Sequence, residues 1–356
     1  MTDDRLRMTP GPTEVPAAVR ERMSEPTPNP DVEPDFFEFY RELTGKLEAI
    51  YGDDDDVVIL GGEGILGLEA AIASLVEPGD RVLCIANGRY GEGFVDFVEM
   101  ADGEAVVCDA EWREPLDLER IESHLADGEF DAATMVHCET PTGVLNDLEP
   151  VLELCDDHDV VSVVDAVSSL GGTSVPTDRI DICLGASQKC FSAPPGLTVA
   201  SVSDRAWETI ESFETASLYT DLEPWRDAAD EEWFPYTHLS ANLYGLDAAI
   251  DLLLEEGLES VFERHEEAAT RCREQADDLG LSPYPDGANA SPTVTALEVE
   301  GRAADLQRDL ADEHDIVLAT GLGDLEDDVL RIGHMGHNAR VDRVERTMDA
   351  LEAVLE

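Results

Sequence analysis

Residues 160–164 read Val-Val-Ser-Val-Val and close in Asp165. A β-branched apolar run without alternation is the pattern of a strand buried on both faces, as in parallel sheets covered by helices. The acid that ends it falls at the carboxyl edge, where open α/β sheets bind ligands. A second short apolar run, 180–184, opens into Gly185-Ala186-Ser187-Gln188-Lys189. Two neighbouring strand ends would then present a carboxylate and an amine to one crevice.

The rest of the chain fits around such a sheet. Apolar runs predict strands over 57–60, 81–86, 106–109, 132–138 and 198–203, separated by helical patterns over 35–51, 64–76, 94–100, 118–125, 148–157 and 204–213. Strand–helix alternation predicts an α/β fold with a mostly parallel central sheet and helices on both faces. Two helices follow over 239–281, divided near Glu256-Gly257. Strands over 292–300, 316–319 and 329–332 and helices over 303–314 and 341–355 predict a small α+β unit. The expected organisation is an arm over 1–34, a large domain over 35–240, and linking helices with a small C-terminal domain over 241–356.

Charge narrows the partners. The 356 residues carry 81 acids against 23 bases, a formal net charge of −58, spread along the whole chain. Such a surface repels nucleic acid and anionic membranes, so neither is expected as a partner. With 43% hydrophobic residues the chain still has a core to bury, which disorder would not. The charge suits a halophile, since about 1 M salt screens repulsion within roughly 3 Å. Seven scattered cysteines without a C-x-x-C pair read as reduced thiols. No apolar run approaches the roughly 20 residues of a membrane span, and the first residues lack a signal-peptide core. A cytoplasmic protein is expected.

Lys189 is one of two lysines, with Lys46; the other cations are arginines. Lysine, unlike arginine, can lose its proton and attack a carbonyl to form a Schiff base. Pyridoxal phosphate (PLP) enzymes need such a lysine, with an acid at the ring nitrogen. Lys189 and Asp165 form that pair; a surface lysine and a helix-capping aspartate are the alternative. Gly62-Glu63-Gly64-Ile65-Leu66-Gly67 opens a helix after a strand, and its bare amides suit a phosphate. The same glycines match G-x-G-x-x-G, which keeps an NAD-binding oxidoreductase in play, but the next strand ends in Asn87-Gly88 and not in a ribose-binding acid. His334 and His337 form H-x-x-H without a ligand cluster and read as polar loop residues.

The segments Val164-Asp165-Ala166-Val167-Ser168-Ser169-Leu170-Gly171-Gly172 and Gly185-Ala186-Ser187-Gln188-Lys189-Cys190-Phe191 resemble the cofactor-attachment region of class V aminotransferases, closest to the alanine–glyoxylate and serine–glyoxylate (serine–pyruvate) branch. The likeness extends from Thr9-Pro10-Gly11-Pro12-Thr13 to Leu330-Arg331-Ile332-Gly333. It implies fold type I, PLP as cofactor, and a homodimer with shared active sites. By the resemblance, Lys189 carries the cofactor with Gln188 beside it, Asp165 holds the ring nitrogen, and Tyr90 and Val167 cover the two ring faces. Thr140 contacts the ring oxygen, and Gly64, Ile65 and the partner's copy of Thr237 hold the phosphate. Arg331 takes the substrate carboxylate, and the segment at Gly11 shapes its pocket. Glu63 departs from the family, which usually has a small hydroxyl residue there. The expected reaction is ping-pong transfer of an amino group from alanine or serine to glyoxylate or pyruvate, with a lyase or desulfurase of the same fold as the alternative.

Overall fold

The structure, a computed structural model, describes residues 5–53, 55–213, 215, 217–285 and 287–355. Its main sheet has seven strands, in the order Asp56–Leu60, Thr198–Val202, Ile182–Ala186, Val161–Asp165, Ala132–Val136, Arg81–Ala86 and Glu104–Asp109. Val161–Asp165 is central and all five of its residues are buried. Burial of each valine there contributes about 1.5–3 kcal/mol. Neighbours pair in parallel, except that Thr198–Val202 runs antiparallel to both strands beside it. The loop from Ala186 to Thr198 holds no helix, so the chain turns straight back and cannot make a parallel crossover.

The second apolar run lies two residues later than its composition predicts, at Ile182–Ala186. Asp181 is the reason. Its carboxylate accepts from Ser162 N at 2.8 Å and from Arg205 Nε at 2.8 Å, which anchors the entry and leaves strand pairing to begin at Ile182. Asp165 then pairs with Leu184, and Lys189 follows on the loop just beyond. The predicted strand over 132–138 stops at Val136: beyond it His137 O accepts from Asn146 N at 2.8 Å, and Cys138–Glu139 pairs with Val144–Leu145 instead of the central strand.

The helix Pro34–Tyr51 buries Phe36, Phe37, Tyr40, Leu43, Leu47 and Ile50 and ends on Gly52, whose φ of 77° provides the left-handed cap. The helix Gly64–Leu75 lies close to the sheet at Gly67, where a Cβ would approach Leu184 Cδ2 to 3.3 Å and Thr198 closer still. That glycine therefore serves helix–sheet packing.

The large apolar core runs from Val19 through the sheet and continues along the helix Ser240–Glu256 as far as Val261. A second core joins Ala268, Cys272, Leu297, Leu306, Ile332 and Met348 around a three-stranded antiparallel sheet of Thr295–Glu298, Val329–Ile332 and Ala319–Thr320. Leu6 and Met8 belong to this second core, and Leu6–Arg7 pairs in parallel with Ile316–Val317. The N-terminal arm thus begins against the C-terminal sheet and reaches the large core at Val19. Among the described residues, no helix is long and apolar enough to cross a membrane.

Candidate active site

The strand ends frame a cavity of about 280 Å³, near the lower end of the small-molecule range of about 300–1,000 Å³. Lys189, Asp165, Gln188 and Val167 reach it from the central strand ends, Tyr90 and Thr140 from the next two, and Gly64 and Ile65 from the helix start. Gly11 closes it from the arm. Those nine residues were singled out from sequence; Arg331 and Thr237 were too, and neither lines the cavity.

The loop of Lys189 is folded on itself. Ser187 N bonds Leu197 O at 3.0 Å, Ala193 N bonds Ser187 O at 2.9 Å, and Ser187 Oγ donates to Pro194 O at 2.7 Å. Lys189 Nζ donates to Pro10 O at 2.8 Å. Burial lowers the proton affinity of this amine and the nearby charge of Arg331 lowers it further, while Asp165 opposes both. Burial raises Asp165 to about 6; the 2.8 Å bond from Val167 N and the charge of Lys189 work against the rise. A cationic ring nitrogen facing Asp165 would offset that burial and favour the carboxylate.

Tyr90 is held through a residue given no role from sequence. Glu139, fully buried, accepts from Tyr90 N at 3.2 Å and Gly91 N at 2.7 Å at the start of the helix Arg89–Met100. Burial pushes its carboxyl up to about 8, against those two bonds. Its only signal in the sequence is an acid directly after an apolar strand. Thr140 Oγ1 bonds Ser168 Oγ, which also faces the cavity.

Arg331 is 7% exposed, between Ala296 and Ala319 of the adjoining strands. Its Nε donates to Thr320 O at 2.6 Å and its Nη1 to Thr140 O at 3.5 Å. Among the described residues no carboxylate pairs with it, and burial lowers its pKa to about 10. Thr237 is exposed and donates to Asp31 Oδ2 at 3.0 Å, away from this chain's cavity. His334, expected as a polar loop residue, is fully buried between Thr295 Oγ1 at 2.7 Å and Pro292 O at 3.0 Å.

The sequence pattern of the family described as Aminotransferase class-V matches residues 39–325. The chain belongs to the class-V aminotransferase family. It is similar to an uncharacterized aminotransferase of Methanocaldococcus jannaschii, 36% identical over 93% of this chain and 88% of that one. It is 34% identical to a pyridoxamine–pyruvate transaminase of Mesorhizobium japonicum, over 87% of this chain and 81% of that one. Among solved structures, an alanine–glyoxylate aminotransferase from Nostoc sp. superposes with a TM-score of 0.95 at 30% identity, covering 99% of this chain and 95% of that one.

This class-V aminotransferase is therefore a PLP-dependent enzyme of the α/β fold type I architecture. The cavity fits the group. Lys189 brings an amine whose proton affinity desolvation lowers, Asp165 is a buried carboxylate without an ion-pair partner among the described residues, and the amides of Gly64 and Ile65 open a helix toward the same space. The dinucleotide alternative falls with the family assignment. Asn87, where that site needs an acid, is tied to Asn146 at 2.7 Å.

Proposed function

We propose that this aminotransferase moves the amino group of a small amino acid, alanine or serine, to a small 2-oxo acid, glyoxylate or pyruvate, in a ping-pong cycle. The observation that carries the reading is the pairing of Lys189 and Asp165 at one cavity, with a buried guanidinium close behind it, Arg331, that has no carboxylate partner among the described residues. Bound PLP supplies the aldehyde that an amine condenses with and the ring that takes up electrons as the α-proton leaves. Lys189 Nζ, its proton affinity lowered by burial, holds the cofactor at rest and then takes the proton from the substrate Cα. Asp165 keeps a proton at the ring nitrogen. The Arg331 fork orients a substrate carboxylate, and Tyr90, fixed through Glu139, covers one ring face opposite Val167.

Gln188 flanks the lysine, Thr140 meets the ring oxygen, and the segment at Gly11 bounds the substrate end. The small volume favours small substrates, and the name of the Nostoc enzyme agrees with alanine and glyoxylate. A desulfurase needs a reactive thiol, and all seven cysteines are buried; burial raises Cys190, next to the lysine, to about 12. We place the protein in the cytoplasm of a halophile as a homodimer, the partner's Thr237 completing the phosphate site. Exposed Ile65, Tyr219 and Leu239 near the helix start support a second chain there.

The test is an absorbance spectrum in high salt with alanine, serine or aspartate added. A visible band lost in Lys189→Ala, bleached by alanine or serine and restored by glyoxylate or pyruvate, supports the proposal. A band that donors perturb but no 2-oxo acid restores makes the enzyme a lyase. Light scattering that finds a monomer in high salt overturns the shared site.

A further inference from the structure

Glu63 stands at the N-cap of the helix Gly64–Leu75, yet its side chain makes no capping bond to that helix. It lines the cavity, and its Oε2 accepts from Gln188 Nε2 at 3.4 Å. Its backbone is fixed there: Thr198 Oγ1 donates to the carbonyls of Gly62 at 3.2 Å and Glu63 at 2.8 Å. The carboxylate therefore shares the helix start with any group that the amides of Gly64 and Ile65 bind.

Around this position negative charge outnumbers positive. The cavity lining carries two carboxylates, Glu63 and Asp165, and one cation, Lys189. Lys189 is committed to the aldehyde end, and Arg331 lies outside the lining, against Thr140 and Thr320. Among the described residues no arginine or lysine forms an ion pair with Glu63. A phosphate monoester brings a charge of about −1.5 to −2 at pH 7, and a like charge beside it disfavours that state. A primary alcohol meets the same groups without conflict. Its O–H can donate to the Glu63 carboxylate while its oxygen accepts from a backbone amide.

We propose that Glu63 reads the 5′ arm of the cofactor: its carboxylate weakens the hold on the 5′-phosphate and accepts a hydrogen bond from a free 5′-hydroxymethyl group, so that pyridoxal and pyridoxamine enter the site as exchangeable occupants beside PLP. This rests on the reading of the cavity as the cofactor site. It makes Glu63 a specificity-determining residue for the cofactor itself, separate from the choice of amino donor at Arg331.

The experiment is a pair of binding titrations on the full chain in high salt, with PLP and with pyridoxal, each followed by the visible band and by equilibrium dialysis. The wild type is expected to bind the two within about tenfold of each other and to release PLP on dialysis. Glu63→Ser shifts the ratio toward PLP by roughly thirtyfold or more, and Glu63→Gln, which keeps the shape and removes the charge, shifts it the same way. A wild type that prefers PLP by a thousandfold, or a ratio indifferent to both substitutions, overturns the inference and leaves the cofactor site standing. A wild type that forms a Lys189-dependent band with neither compound overturns the site reading, and this inference with it.

Discussion

Lys189 Nζ donates its hydrogen bond to the carbonyl oxygen of Pro10, 2.8 Å away, and Thr13 N bonds Gln188 O at 3.0 Å, so the N-terminal arm is tied to the lysine loop on both sides of Gly11. Gly11 itself is at φ +89°, where a Cβ would sit 2.8 Å from Nζ. Gly11→Ala is expected to lower kcat/KM at least tenfold, since a side chain there displaces the amine. Stability should fall by about 1–2 kcal/mol from the left-handed backbone alone. Steady-state kinetics beside denaturant unfolding separates the two; an enzyme of unchanged kcat/KM contradicts the contact's role.

Asp165 offers a prediction with a defined pH window. Burial raises it from 3.8 to about 6, so the fold favours its protonated form. Below pH 4 it is protonated folded or unfolded and costs nothing. Between 4 and 6 the unfolded chain ionises it first, so stability falls, and above 6 the penalty is constant at about 3 kcal/mol. Cofactor-free Asp165→Asn should therefore be more stable than wild type above pH 6 and equal to it below pH 4, by denaturant unfolding. Its transamination should fall by about two to four orders of magnitude while the visible band persists.

For Arg331, the absence of a carboxylate partner among the described residues predicts a split between activity and stability. Arg331→Met should raise KM for the amino acid about a hundredfold or more. It removes a buried charge with no counter-ion, so the unfolding midpoint should stay level or rise. A loss of several kcal/mol in unfolding free energy would show that a structural role dominates.

His265 tests the acid limb. It is fully buried, its Nδ1 lying 2.7 Å from Val261 O and its Nε2 accepting from Gly336 N at 2.9 Å. Burial, helped by Arg264, lowers it from 6.5 to about 3. A base depressed in this way contributes stability in full above 6.5 and loses it as pH falls toward 3, by about 1.4 kcal/mol per pH unit. Between pH 7 and 5, the stability of His265→Gln should decline less steeply than that of wild type, by about 2 kcal/mol over the interval.

The net charge of −58 predicts the response to salt. Raising potassium chloride from about 0.1 M to 2 M shortens the screening length from about 10 Å to less than 3 Å, and the melting temperature should climb throughout. A flat or falling curve contradicts a surface suited to high salt.

The sheet and the paired strand ends were legible because β-branched runs closing in Asp165 and leading to Lys189 leave few alternatives. What the sequence hid was side-chain company. Glu139 looks like an ordinary loop acid, and only the fold brings the amides of Tyr90 and Gly91 onto it. The second strand slipped by two residues because Asp181 is held by Ser162 and Arg205, which no periodicity encodes. Gly67 matched a nucleotide motif in spacing, but its lack of a side chain lets a helix lie against Thr198 and Leu184. Thr237 was carried over by position, and this chain alone leaves it bonded to Asp31.

The pairing of Leu6 with Ile316 also bears on the order of assembly. During synthesis Leu6 leaves the ribosome about 310 residues before the strand that receives it exists. The contact between Pro10 and Lys189 must likewise wait for the central sheet. Long-range pairings of this kind form slowly, so the active site is sealed by a segment made early and placed late. A nascent chain stalled anywhere short of residue 316 lacks the strand that Leu6–Arg7 pairs with, so the start of the arm has nothing to anchor on.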